Sequence, residues 1–292
     1  MSNLVKFFWE AIAINIQKRN KIKGAIYGFA IGDAMGATTE FMTEKQIKNT
    51  FGKVTNIIGG GWLNLKAGEI TDDTEMTMCV MDAIMKSSIS NDPKIRKELF
   101  ISCCIRNFID WYKSNPKSIG GQCSKAINLL MRGYNIPEDE LALGNGSLMR
   151  AMPLALLNLP YTNELQGRLT HNNDECSNII IEYTRLIQEY LNDNYIYLYN
   201  NIGKSLQRPS GCILNTFNNS VYWSKKNSFE EAIIGAVNHG GDADTIAAIT
   251  GSLAGAKFGY DKIPKRWIEQ LNPEVKNFLE NYKYFVFTYV QI

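Results

Sequence analysis

The chain has 292 residues, 45% of them hydrophobic and 21% charged, with 31 Lys+Arg against 29 Asp+Glu. That length and apolar fraction suit one large folded domain or two small ones, and exclude disorder as the dominant state, which pairs low hydrophobicity with high net charge. A formal charge of +2 excludes bulk electrostatic binding to nucleic acid, and no run of about 18 apolar residues is present to span a membrane.

Residues 4–20 (Leu4 to Asn20) are predicted to form a mostly apolar helix, an N-terminal extension ending in the basic run Lys18, Arg19, Lys21 and Lys23. Glu10 interrupts its apolar stretch and no small-residue cleavage site follows, so it makes a poor signal peptide. It either docks on a membrane surface or a partner, or packs on its own domain, residues 21–292. From Ile22 the texture turns Gly- and Ala-rich at helical spacing, through Gly32-Asp33-Ala34-Met35-Gly36-Ala37-Thr38-Thr39-Glu40. Small residues there permit close helix packing, and Glu40 is a candidate ligand or general base. Gly59-Gly60-Gly61 reads as a loop.

Thr71 is a good N-cap, which puts Asp72 and Asp73 in the first turn of a helix carrying Met78, Met81 and Met85. Carboxylates in that position are stabilised by the helix dipole whether or not they do chemistry. Helix-period apolar sets continue with Phe100, Cys104, Phe108 and Trp111, then Ile180, Tyr183, Ile187 and Tyr190. Breaks fall at Asn91-Asp92-Pro93, Asn115-Pro116, Ile136-Pro137 and Arg208-Pro209-Ser210-Gly211. Gly144-Asn145-Gly146-Ser147, running on to Arg150, is either ordinary turn chemistry or a set of backbone N–H groups that cradle a phosphate, with Ser147 adding a hydroxyl. Asn238-His239-Gly240-Gly241-Asp242-Ala243-Asp244-Thr245 opens a helix holding Ile246, Ile249, Leu253 and Ala256. Strand-like alternation is scarce, no linker marks a boundary and no repeat of fixed period occurs. The expected architecture is all-α, one compact domain of about a dozen helices.

The chemistry concentrates in the two acidic clusters. Asp242 and Asp244 repel each other unless a cation sits between them, and neither cluster contains a basic residue. Hard divalent cations such as Mg²⁺ or Mn²⁺ take such carboxylate and hydroxyl oxygens. Two clusters with Asp, Asp and Thr each suit a two-metal site. With only two histidines, His-based zinc sites and Ser-His-Asp triads have little material. The six cysteines lack C-x-x-C spacing and read as free thiols of a reducing compartment, cytoplasmic or otherwise intracellular.

Taken in order, Gly32 to Glu40, Thr71-Asp72-Asp73-Thr74, Gly144 to Arg150 and Gly240 to Thr245 resemble the motifs of the ADP-ribosylglycohydrolase family, from about Lys21 to Gly259. The resemblance implies an orthogonal all-α fold with a binuclear Mg²⁺ or Mn²⁺ centre in a cleft. Carried over by motif, Thr71, Asp72 and Asp73 would serve one metal, Asp242 and Thr245 the other, and Asp244 would bridge them with Glu40 close by. Gly120, Gly121 and Gln122 match a loop near the ribose and phosphates; Asn145, Gly146 and Ser147 would hold the diphosphate, and His171 would line the ADP-ribose pocket. Glu40 or one of Asp72, Asp73 and Asp244 would move the proton as water attacks C1 of the distal ribose.

The implied activity is hydrolysis of the bond joining ADP-ribose to a protein side chain, arginine-linked mono-ADP-ribose first, by a monomeric enzyme. Serine-linked, polymeric or small-molecule conjugates are the second expectation. A non-catalytic ADP-ribose binder or crystallin-like structural protein is the third, disfavoured by the complete carboxylate set. Three positions depart from many relatives: Ser118 stands where an acid often precedes the Ile-Gly of the glycine loop, Cys212 where some have an aromatic residue, and Asn215 where some have Asp. A carboxylate facing the guanidinium would favour arginine, so Ser118 bears on linkage.

Overall fold

The structure is a computed structural model that describes residues 3–194 and 202–289, with side chains from residue 15 onward. Among the described residues there are thirteen α-helices, two short 3-10 turns and no strand. The helices are α1 (Asn3–Gly36), α2 (Glu44–Phe51), α3 (Asp72–Ser87), α4 (Pro93–Lys113), α5 (Gly121–Met131), α6 (Met152–Leu156) and α7 (Pro160–Arg168). They continue with α8 (Asp174–Leu191), α9 (Ile213–Ser224), α10 (Phe229–His239), α11 (Ala243–Phe258), α12 (Lys265–Gln270) and α13 (Pro273–Tyr289). The all-α expectation holds.

Helix α11 is the centre of the fold. Every residue from Ala243 to Ala256 is buried, so it is apolar on all sides, as a helix enclosed by others must be. The second half of α1 is equally buried, from Ala25 through Met35. The two helices run antiparallel with almost no side chain between them. A methyl group added at Gly24, Gly28, Gly32 or Gly36 would collide with the backbone of Gly255, Gly251, Ala247 or Ala243 respectively. The four-residue step aligns these small positions in one ridge, which lets the two backbones touch. This register sets the end of α1 beside the start of α11, although some two hundred residues separate them.

A second fastening brings in α3. Asp33, fully buried on α1, accepts hydrogen bonds from Thr71 N (3.2 Å), Thr71 Oγ1 (2.8 Å), Thr74 N (3.0 Å) and the Thr74 hydroxyl. The first turn of α3 is thus capped both by its own N-cap Thr71 and by a carboxylate from another helix. Around this frame, α4 packs on α3, α8 and α9 pack on α11, and α13 lies against α1 and α3.

Residues 4–20 are helical and continuous with α1, so the expected limit of the extension falls inside one rod. The side chains of residues 4–14, on which the docking expectation rests, lie outside the described residues. Its basic run is partly consumed by the domain itself. Lys21 is buried and donates to Tyr190 O (2.9 Å) and Asp193 Oδ1 (2.6 Å). Lys23 Nζ sits 3.8 Å above the Tyr260 ring and 3.4 Å from Glu280. All six cysteines are free thiols.

Candidate active site

The loop after α1 turns back sharply to present Glu40. Phe41 takes a left-handed backbone (φ 62°), and its N–H donates to Gly241 O (2.6 Å) while Gly241 N donates to Met42 O (2.8 Å). Gly240 and Gly241 also have positive φ, and a Cβ at either would strike the Met42 or Pro209 carbonyl. Only glycine accommodates both that conformation and that closeness. Glu40 is therefore clipped to the residues just before Asp242.

Around these elements opens a cavity of about 400 Å³, within the range of small-molecule sites. Its wall includes Glu40, Asp72, Asp73, Asp242, Asp244 and Thr245. Gly120, Gly121, Gln122, Asn145, Gly146 and His171 line it as well. Of the residues expected from sequence, Thr71 and Ser147 do not line it. Thr71 is turned toward Asp33, and Ser147 is fully buried with its hydroxyl unpartnered.

The two acidic clusters are interleaved. Thr245 Oγ1 of the second donates to Asp73 Oδ2 of the first (3.1 Å). Glu40, Asp242 and Asp244 each bring a carboxylate oxygen within 4.8 Å of the others, close enough to share one cation. Asp73 Oδ1 and Asp244 Oδ1 are buried without a hydrogen-bond partner. The Asn145 amide, expected at a diphosphate, donates to Asp242 Oδ2 and to Thr216 Oγ1 (2.9 Å).

Among the described residues no lysine or arginine lines the cavity, and the carboxyls respond accordingly. Burial pushes Glu40 from its ordinary 4.5 to about 7, against the opposing hydrogen bond from Trp62. Asp242 rises to about 6, with the Asn145 bond opposing. Burial, reinforced by neighbouring carboxylates, drives Asp73 and Asp244 well above the usual range. Asp72 is raised by burial and held back by Ser118 and the Gly120 amide. Partial relief comes from the positive ends of three helices, since α3, α5 and α11 all start at the cavity wall. His171 is pushed down to about 3 by burial and the nearby Arg150 charge, so its imidazole is neutral.

Several contributors were not assigned from sequence. Trp62 donates Nε1–H to Glu40 Oε2 (2.6 Å), and its ring packs against exposed Phe41 at 5.4 Å between centroids, forming a lip. Asp33 stands in a quoted motif without an assigned role; a lone acid in an otherwise apolar helical run was the available signal. Of the three departures, Ser118 lines the cavity, whereas Cys212 and Asn215 do not. A larger groove of about 800 Å³ runs between α3, α4 and α13. Three of its acids are already engaged: Glu75 accepts from Trp111 (2.7 Å), Glu69 pairs with Lys117 (2.8 Å) and Asp82 with Lys86 (2.7 Å).

Comparison with known proteins identifies the family. The sequence model of the ADP-ribosylglycohydrolase family matches residues 15–208 and 182–286. The chain is 32% identical to the ADP-ribosyl-[dinitrogen reductase] glycohydrolase of Rhodospirillum rubrum, over 87% of this chain and 90% of that protein. It is 29% identical to the ADP-ribosylarginine hydrolase Tri1 of Pseudomonas putida (strain GB-1), over 87% of this chain and 75% of that one. A solved structure of an ADP-ribosylglycohydrolase-related protein complex superposes with a TM-score of 0.74 at 26% identity, covering 92% of this chain and 99% of that chain. The chain belongs to the ADP-ribosylglycohydrolase family, hydrolases of glycosidic bonds.

Proposed function

We propose that this chain, acting as a monomer, releases ADP-ribose from a modified protein side chain, arginine-linked mono-ADP-ribose first, with two divalent cations, Mg²⁺ or Mn²⁺, as cofactors. The observation that carries this reading is the pair of buried, unpartnered oxygens Asp73 Oδ1 and Asp244 Oδ1 in a carboxylate-rich cavity with no basic side chain among the described residues of its wall. Buried charges persist where they are paired or hold a metal, and a donor set made of oxygens fits hard dications. Asp72, Asp73, Asp242 and Asp244, with the hydroxyl of Thr245, would hold the ions, and Glu40 stands beside them; Thr71, turned to Asp33, would act only by capping the helix that carries Asp72 and Asp73. Bound there, the ions would neutralise the carboxylates and bind hydroxyls of the distal ribose.

The chain's own groups account for the rest. Trp62 fixes one Glu40 oxygen, leaving the other to take a proton from the attacking water. Gly120 and Gly121 begin α5 with nothing within 4 Å of a hypothetical side chain. The Gly120 amide already serves Asp72, so the Gly121 amide at the helix start is the one offered to a diphosphate oxygen, and His171 lines the same cavity. The names of the two relatives support a protein-linked substrate, and that of Tri1 supports arginine. One observation favours a serine-linked, polymeric or small-molecule conjugate instead: Ser118, at the wall beside Asp72, offers a guanidinium no charge.

The deciding experiment measures ADP-ribose release from arginine-linked and serine-linked peptides in Mg²⁺, Mn²⁺ or chelator. Metal-dependent release from the arginine peptide is expected, and Asp73→Ala should remove it while the far-UV dichroism stays unchanged. Full turnover in chelator, or in Asp73→Ala, would sink the reading.

A further inference from the structure

Arg150 is fully buried, and none of its described partners is a carboxylate. Its donors go to neutral acceptors: Gln166 Oε1 (2.7 Å), Gln166 O (3.0 Å), Gly146 O and Thr170 Oγ1 (2.6 Å). The guanidinium also lies over the Phe108 ring, 4.9 Å from its centroid. A guanidinium does not give up its proton in a protein, so a whole positive charge is enclosed here with no anion beside it. Such a charge is costly unless something compensates it. It sits directly beneath the loop 144–147.

The Thr170 hydroxyl accepts from Arg150 and keeps its own proton to donate. His171 Nδ1 lies 2.8 Å away; the competing acceptor, Cys123 Sγ, is a weaker one. With Nδ1 accepting and the ring neutral, the single ring proton sits on Nε2. Nε2 faces Gly144 and Gly146, where a Cβ at Gly144 would come 2.8 Å from it. All three residues line the cavity, whereas Arg150 and Thr170 do not.

We propose that Arg150 and Thr170 are positioning residues for an anionic group of the substrate: the chain Arg150–Thr170–His171 fixes the Nε2–H tautomer and presents that N–H, backed by the enclosed guanidinium, to a phosphate oxygen. Naming the anion as the diphosphate of ADP-ribose rests on the function proposed above; the tautomer does not. A glycine on either side of the ring leaves the N–H accessible, and the fixed proton makes His171 a donor that cannot turn acceptor.

With two histidines in the chain, ¹⁵N spectra of histidine-labelled protein resolve His171 by its disappearance in His171→Gln. The wild type is expected to show one neutral tautomer, protonated on Nε2, from about pH 5 to pH 8. Thr170→Val should give a tautomer mixture and weaken ADP-ribose binding about tenfold, the worth of one hydrogen bond to a charged group. It should leave binding of adenosine, which has no phosphate, unchanged. Thr170→Ser, which keeps the hydroxyl, should restore both the spectrum and the affinity. A wild-type ring protonated on Nδ1 overturns the proposal, as does a Thr170→Val protein that matches Thr170→Ser in ring spectrum and affinity. The ring spectrum is read without ligand, so it decides the relay even if ADP-ribose proves not to be what binds.

Discussion

Removing divalent ions from this protein and raising the pH should destabilise it. The carboxyls of the cavity have proton affinities raised by folding, so the sign is opposite to that of a salt-bridged acid. A group whose folded pKa lies above its unfolded one binds its proton more tightly when folded. Its stabilising effect is complete at low pH and is lost as pH rises through the folded value. Glu40, raised from 4.5 to about 7, is worth about 3 kcal/mol across that window, at about 1.4 kcal/mol for each tenfold change in proton affinity. Asp242, raised from 3.8 to about 6, acts in the same direction over a window about one pH unit lower. For a chain of this size, about 3 kcal/mol corresponds to roughly 5 °C in Tm. The assay is thermal unfolding in chelator at pH 5 and pH 8, repeated with Mg²⁺ or Mn²⁺. The expected order is a higher Tm at pH 5 in chelator, with most of the loss at pH 8 recovered by the metal. At a hundred times its dissociation constant, one ion restores about 2.7 kcal/mol. A metal-free protein more stable at pH 8 than at pH 5, or one indifferent to both cations, would refute the reasoning.

Other substitutions probe the frame that holds the site. Asp33→Ala leaves the buried amides of Thr71 and Thr74 without their acceptor, which should cost about 3 kcal/mol; an unchanged melting temperature would show that α3 needs no tether to α1. Gly32→Ala drives a methyl group into the Ala247 carbonyl, and backbone cannot step aside as a side chain can. A loss of about 3 kcal/mol is expected, with turnover reduced as well, both read from calorimetric melting and ADP-ribose release. Trp62→Phe keeps the aromatic lip but frees Glu40 Oε2, and should lower kcat about tenfold with Tm nearly unchanged. A fall in Tm with kcat intact would make Trp62 a structural residue.

What could be read from sequence was local, and what could not was pairing and phase. Thr71 as an N-cap follows from its own side chain, and it caps α3 as expected. The stripe Ile180, Tyr183, Ile187, Tyr190 is buried along its length, because α8 has clear polar and apolar faces. Helix α3 has apolar residues nearly all round, so period alone could not set its phase. Met78 and Met85 are only half-buried, while Met76, Val80, Met81 and Ile84 make the core face. Small residues at Gly32 and Gly36 signalled close packing, but their partners on α11 lie too far along the chain for any local pattern to name. The Gly-Asn-Gly-Ser stretch reads equally as an ordinary turn or a phosphate cradle, and which of its groups face inward depends on the 3-10 geometry of Asn145–Ser147. That geometry sends Ser147 into the interior and ties Asn145 to Asp242.

Charge balance connects the frame to the chemistry and bears on how many ions the site takes. Glu40, Asp72, Asp73, Asp242 and Asp244 carry five negative charges when ionised, and among the described residues no basic side chain on the wall opposes them. Each helix N-terminus contributes roughly half a positive charge, so α3, α5 and α11 together offset roughly one and a half. An excess of between three and four negative charges remains. One dication would leave the cavity acidic and would repel a diphosphate. Two bring it to neutral or slightly positive, and the guanidinium of Arg150 behind the 144–147 loop adds to the side where the diphosphate would lie. The glycine ridge between α1 and α11 is what makes this concentration possible. It brings two helix ends and their acids into one small volume, and the repulsion that results is what bound dications would relieve.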